Sequence, residues 1–195
     1  MAAEWDSDSL RVKLATSIAQ KISDTIAIKE SDKILDFGCG TGLVSFSLMQ
    51  YAGEVVGLDN SEGMVEQFNQ KAEEYNLQAS ARTFNFESDT IDDSNFNLSV
   101  AAMVFHHLPD PQVILKKLYD SLKSNGTIAI ADLDKEDGSF HPADMKGIYH
   151  HGFNRSDMTD WLSKAGFKAV KTETVLDFER DGNQYSIFLA TATVA

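Results

Sequence analysis

The sequence predicts an α/β fold in which a mostly parallel sheet carries helices on both faces and ends in a β-hairpin. Two observations predict it. From Lys33 to Asp134, strand-like apolar runs alternate with helical stretches of about ten to fifteen residues, the rhythm of right-handed βαβ crossovers. Beyond Gly166 that rhythm breaks: two strand-like runs follow each other with only a turn between, so they must pair antiparallel. The 195 residues, 43% hydrophobic and 24% charged, suit one packed domain rather than a disordered chain.

Each element has its own signal. Leu10, Leu14, Ile18, Ile22 and Ile26 recur every four residues and stripe one face of an opening helix. Residues 1–30 are expected to form a helical lid on a single domain, 1–195, and Trp5 is a candidate to close over a pocket or to anchor that helix. A short strand through Ile34 and Leu35 ends at Gly38, followed by a helix over Leu43–Tyr51 and the strand EVVGLD. Met64, Val65, Phe68, Ala72 and Tyr75 mark the next helix, and SARTFNF the next strand. An acidic stretch leads to the strand FNLSVAAMVF and a helix through Val113, Ile114, Leu115, Leu118 and Leu122, which Asn125-Gly126 is expected to cap. TIAIADLD is a further apolar strand. Asn154 with Asp157 reads as a helix start and Gly166 as its end, with Trp161 on the core face. FKAVKTETV and QYSIFLATATV then form the hairpin, with Asp181-Gly182-Asn183 as turn chemistry.

Charge and cysteine content exclude several functions. With 17 basic and 30 acidic residues the net charge is −13, which repels phosphate backbones, so no nucleic-acid partner is expected. The single cysteine, Cys39, leaves no internal disulfide and no cysteine zinc cage, and it reads as a small packing residue. The first ten residues lack the apolar core of a signal peptide, and no apolar run approaches the ~18 residues of a membrane span. A cytoplasmic protein without membrane insertion is expected, and a homodimer stays open.

The segment Asp36-Phe37-Gly38-Cys39-Gly40-Thr41-Gly42 lies between a strand and a helix, at the sheet edge where open α/β folds bind ligands. The second strand ends at Asp59, a carboxylate placed to accept hydrogen bonds from both hydroxyls of a ribose. Together they read as a nucleoside site. The glycine spacing is GxGxG, not the GxGxxG that points a helix at a pyrophosphate, and Asp36 sets negative charge beside the ligand. That charge favours a ligand carrying a cation.

LDFGCGTG, then GLDNS, then the block from Phe96 to Pro111 resemble the class I S-adenosylmethionine-dependent methyltransferases, chiefly the type 11 small-molecule enzymes that methylate ubiquinone and menaquinone precursors. The resemblance covers nearly the whole chain. It implies a Rossmann-like seven-stranded sheet in the order 3-2-1-4-5-7-6 with strand 7 antiparallel, and S-adenosyl-L-methionine as cofactor. It further implies that Gly38, Gly40 and Thr41 line the methionine and ribose moieties and that Asp59 holds the ribose hydroxyls. Asn60 and Met64 would flank the adenine. Asn85, where many relatives carry Asp, would accept from the adenine amino group, and Phe86 would offer its backbone amide. Ala102 would contact the methionine portion.

Methyl transfer needs alignment in a dry pocket more than it needs a base. Of the adjacent pair His106-His107, one ring is expected to point away, leaving at most one to face a pocket, with His107 a candidate. His141, His150 and His151 share the aperiodic stretch after Asp134 with Phe140, Tyr149 and Phe153, which suits an aromatic acceptor wall with a titratable group. His151 and His141 are the best candidates for a base or proton relay. No carboxylate–histidine spacing here forms a recognised ligand set, so no metal is expected. The reaction expected is methyl transfer to a small-molecule acceptor by in-line displacement. The alternatives are a nicotinamide-dependent oxidoreductase of Rossmann type and a non-catalytic cofactor-binding module.

Overall fold

The computed structural model describes residues 6–142 and 144–195; Trp5, weighed above as a lid or anchor, lies outside them. Seven strands form one sheet in the order β3-β2-β1-β4-β5-β7-β6. They are β1 (Lys33–Phe37), β2 (Glu54–Asp59), β3 (Ala79–Thr83), β4 (Phe96–Ala102), β5 (Leu122–Leu133), β6 (Lys168–Arg180) and β7 (Asn183–Thr193). β1 through β5 pair in parallel, while β7 runs antiparallel to both β5 and β6. Order and directions match the sequence reading. The hairpin turn sits at Asp181 and Gly182, both with positive φ (52° and 81°), the backbone that a two-residue turn between twisted strands demands.

Five helices cover the sheet: α1 (Ser9–Thr25), α2 (Leu43–Leu48), α3 (Glu62–Glu74), α4 (Pro111–Ser121) and α5 (Arg155–Ala165). Asp8 caps α1 through its side chain and Asp110 caps α4, with Pro111 at the first helical position. Gly166, at φ 108°, ends α5 as expected. Apolar residues bury in two layers, one under α1, α2 and α3 and the other under α4 and α5, so β1, β4 and β5 are covered on both faces. The predicted role of Asn125-Gly126 needs correction. α4 ends at Ser121, and these residues lie inside β5, where the register jumps from Leu122 opposite Phe96 to Thr127 opposite Leu98. Asn125 takes φ 62° to close that bulge, so its turn chemistry serves a strand irregularity instead of a helix cap.

β1 and β4 are neighbours, and the connections leave them toward opposite sides of the sheet. This reversal opens a crevice at the carboxyl ends of the parallel strands. Asp36 and Asp59 stand there beside the segments that follow β4 and β5.

Candidate active site

The glycine loop is tied to β2 by two backbone bonds, from Gly38 N–H (2.7 Å) and Cys39 N–H (3.1 Å) to the carbonyl of Leu58. Gly38, at φ 74°, admits no side chain, since a Cβ would stand 2.4 Å from a Val104 methyl. Gly40 N–H donates to Asp59 Oδ2 at 2.8 Å, and Ser61 N–H to Oδ1 at 2.9 Å, so Asp59 orders both the loop and the start of α3. Thr41 is buried, its hydroxyl donating to Asp6 at 2.6 Å, while Lys71 reaches both Asp6 and the Thr41 carbonyl. The segment before α1 thus clasps the loop.

Electrostatics at this edge are dominated by buried carboxylates. Asp36 is 2% exposed. Burial pushes its pKa up to about 7, a Ser45 hydrogen bond opposes that, and the charge of Asp59 adds to it. Asp59 is likewise raised by burial, against the pull of the Ser61 and Gly40 amides. Cys39 is packed, not reactive: burial and both acids hold its thiol protonated, and its sulfur fills the space above Gly57.

The remaining cofactor candidates lie nearby with one revision. Met64 occupies the first turn of α3 and is half-buried, and Asn60 is exposed just beyond Asp59. Phe86 stacks on Phe37 with centroids 4.5 Å apart, its carbonyl held by Lys117 at 2.9 Å. Ala102, half-buried, ends β4. Asn85 was expected to accept from an adenine amino group. Its Oδ1 already accepts from the amides of Glu87 (2.9 Å) and Ser88 (3.2 Å), which leaves the side-chain NH2 as the group it can present.

The histidines assemble in a way the sequence reading missed. His106 and His107 fall in a 3₁₀ turn, Phe105–His107, where successive side chains project about 120° apart and not oppositely. Their rings stack with centroids 4.2 Å apart, and His141 joins them at 5.0 and 5.7 Å. His106, 1% exposed, shares a 2.7 Å hydrogen bond between Nδ1 and Asp132 Oδ1 at the end of β5. Burial lowers its pKa, but the charge and hydrogen bond of Asp132 together raise it above the ordinary value. Burial, then the charge of His106, lowers His107; burial and the charges of both neighbours bring His141 down to about 4. Asp132 was the signal available in sequence, a carboxylate inside an otherwise apolar strand.

The predicted aromatic wall does not form as one surface. Phe140 packs against Tyr185 and Phe178 in one core layer, Phe153 against Trp161 in the other, and Tyr149 is exposed. His151 stands apart from the ring cluster, half exposed and 3.5 Å from Glu136, and His150 is bonded to the Leu108 carbonyl.

Residues 35–130 match the family model described as a methyltransferase domain. The chain belongs to the class I S-adenosylmethionine-dependent methyltransferases. An uncharacterized methyltransferase of Schizosaccharomyces pombe is 36% identical over 64% of this chain, which spans only 49% of that relative's length. A ubiquinone biosynthesis O-methyltransferase of Coxiella burnetii is 25% identical, covering 87% of this chain and 79% of its own. In fold, an S-adenosylmethionine-dependent methyltransferase from Aquifex aeolicus superposes with a TM-score of 0.73 at 20% identity, covering 100% of this chain and 99% of that one. The cofactor of this methyltransferase family is S-adenosylmethionine, and the residues present fit it. A Cβ built on Gly40 meets nothing within 4 Å, so open space borders that backbone, with the Asp59 carboxylate bonded to its amide and Asp36 buried beneath.

Proposed function

We propose that this protein transfers a methyl group from S-adenosylmethionine to a small-molecule acceptor by in-line displacement. The observation that carries the reading is the meeting, at one sheet edge, of a loop–carboxylate cradle and a polar histidine cluster. The charge of His107 lowers the Asp59 pKa and that of Asp59 raises the His107 pKa, so the two parts of the site act on one another. When bound, the donor supplies a methyl carbon on a sulfonium; the acceptor's lone pair forms the new bond and the S–C pair returns to sulfur.

The chain's residues divide that work. Asp59 grips the ribose while keeping the Gly40 amide. Asp36 supplies negative charge beneath the loop for a cationic amino-acid moiety, and Gly38, Gly40 and Thr41 line the methionine and ribose. Met64 and Asn60 flank the adenine, with Phe86 and Asn85 at its edge and Ala102 beside the methionine portion. His106 and His107 border the acceptor's side, with the His106 ring held through Nδ1 by the Asp132 carboxylate. The O-methylating name of the Coxiella relative supports an oxygen acceptor. Among the described residues no helix is long and apolar enough to cross a membrane, which suits an acceptor met in water.

The test is incubation with a donor carrying an isotopic methyl label and a panel of phenols, thiols and amines, beside calorimetry with S-adenosylhomocysteine. Label in a small product and heat from the demethylated donor are expected. Absence of both would overturn the reading.

A further inference from the structure

We propose that His106, His107 and His141 form a three-histidine site for a divalent transition metal, zinc by its ligand chemistry, with one position left for the acceptor's heteroatom. The proposal rests on the methyltransferase reading for that acceptor, while the metal site itself rests on geometry.

Three observations carry it. One ligand atom from each ring lies within 4.8 Å of the other two. A tetrahedral zinc with Zn–N bonds of about 2.0–2.1 Å holds its ligand nitrogens roughly 3.4 Å apart, so closure moves the rings by about 1 Å. His107 and His141 are only half-buried, on the 3₁₀ turn and on the loop beyond β5, where such movement costs least.

Next, the second nitrogens of His106 and His107 are already assigned. His106 Nδ1 is engaged by the Asp132 carboxylate, which also accepts from Leu133 N–H at 2.8 Å, so the acid is itself held. A carboxylate oriented on a histidine in this way is the usual support behind a metal ligand. His107 Nδ1 lies 2.8 Å from the Gly147 carbonyl, which can only accept. The proton therefore sits on Nδ1 and Nε2 presents a lone pair.

Finally, buried polar atoms normally find partners. Of the buried side-chain nitrogens and oxygens without one, His106 Nε2 and His141 Nε2 belong to this cluster. Two orphaned imidazole nitrogens side by side are what a cation would satisfy. All-imidazole ligation selects zinc or its first-row neighbours over magnesium and calcium, which take oxygen. Three protein ligands leave an open fourth position, the pattern of a reactive site and not of a structural one.

An acceptor O–H or S–H bound through its heteroatom gives its proton to solvent near neutral pH, because the cation stabilises the anion. That lone pair then attacks the methyl carbon, and the S–C electron pair leaves with sulfur.

The test uses the full chain, stripped with chelator and dialysed. Calorimetry with Zn2+ and visible absorption with Co2+ are followed in the wild type and in His107→Gln, His141→Gln and Asp132→Asn. S-adenosylhomocysteine binding by each protein serves as the check on folding. One equivalent of zinc and the intense bands of four-coordinate cobalt are expected. Loss of either ligand should weaken zinc roughly 100-fold or more, and Asp132→Asn roughly 10–100-fold. Zinc uptake absent, or unchanged in all three variants, with S-adenosylhomocysteine still bound, overturns the metal site and leaves the methyltransferase reading standing. Zinc bound by a wild type that ignores S-adenosylhomocysteine does the reverse.

Discussion

Asp36 should make the donor-free protein less stable as pH rises, opposite to the usual behaviour of a carboxylate. Its pKa lies near 3.8 in the unfolded chain and is pushed up to about 7 when folded, with burial as the first cause. Between those values the folded state binds the proton and the unfolded state does not. Stability therefore falls as pH climbs from about 4 through about 7 and levels off above. At 1.36 kcal/mol per pH unit, the full penalty approaches about 4 kcal/mol. Asp36→Asn keeps an oxygen for Ser45 and removes the charge. Urea unfolding of both proteins at pH 5, 6, 7 and 8 isolates the effect as a difference. The variant should match the wild type only below about pH 4, exceed its stability by about 1–2 kcal/mol at pH 5 and by about 4 kcal/mol at pH 8. Donor affinity should move the other way, with the variant weaker at pH 8, since a cationic ligand favours the ionised acid. A stability difference independent of pH, or one that shrinks as pH rises, would refute the assignment.

Other substitutions separate the parts of the site. Asp59→Ala removes the acceptor for Gly40 and Ser61 N–H, and calorimetry should show affinity for S-adenosylhomocysteine falling by roughly 100-fold, in line with about 3 kcal/mol for charge-assisted bonds. Gly57→Ala places a Cβ 2.6 Å from Cys39 Sγ and 3.0 Å from Ala81, an overpacking cost of about 1–3 kcal/mol by urea unfolding. Adding Cys39→Ala should recover part of that loss, and no recovery would show the clash lies elsewhere. Asp6→Ala breaks the contacts to Thr41 and Lys71. With both groups partly exposed, global stability should drop by no more than about 1 kcal/mol, while proteolysis before α1 should quicken.

The sheet and its order were legible because period-2 and period-3.6 patterns survive in each element and the Asp181-Gly182 turn admits one pairing. The contact between the glycine loop and Asp59, which forms the proposed donor cradle, was legible as a structural unit, since Asp36, the glycines and Asp59 lie close in sequence at the ends of consecutive strands. The histidine cluster was not. It joins a turn after β4 to a loop after β5 and a carboxylate inside β5, and no spacing rule spans the α4 crossover between them. The error over His106-His107 came from applying strand alternation to residues in a 3₁₀ turn. Phe140 and Phe153 misled for a related reason: their shared loop passes over both core layers, and composition does not say which layer takes which ring.

Three carboxylates, Asp36, Asp59 and Asp132, are buried at the ends of β1, β2 and β5, in a protein that has no shortage of exposed positions for acids. A fold selected for stability alone would not retain them, because each takes a charge out of water without a buried lysine or arginine to answer it. The charge of Asp59 disfavours the ionisation of Asp36, and Asp132 is answered by a histidine. The same arrangement becomes favourable once cations arrive at this edge. On the two proposals, a sulfonium amino acid over the glycine loop would offset the first pair, and a metal on the three rings would offset the third. Cationic ligands should then raise stability most at high pH, where the unanswered charge is greatest. Unfolding with S-adenosylmethionine, S-adenosylhomocysteine and zinc across pH 6–8 checks this directly. The sulfonium donor should stabilise more than its neutral thioether product, by a margin that grows with pH and vanishes in Asp36→Asn. An equal effect of donor and product at every pH would mean the buried acids answer some other requirement of the fold.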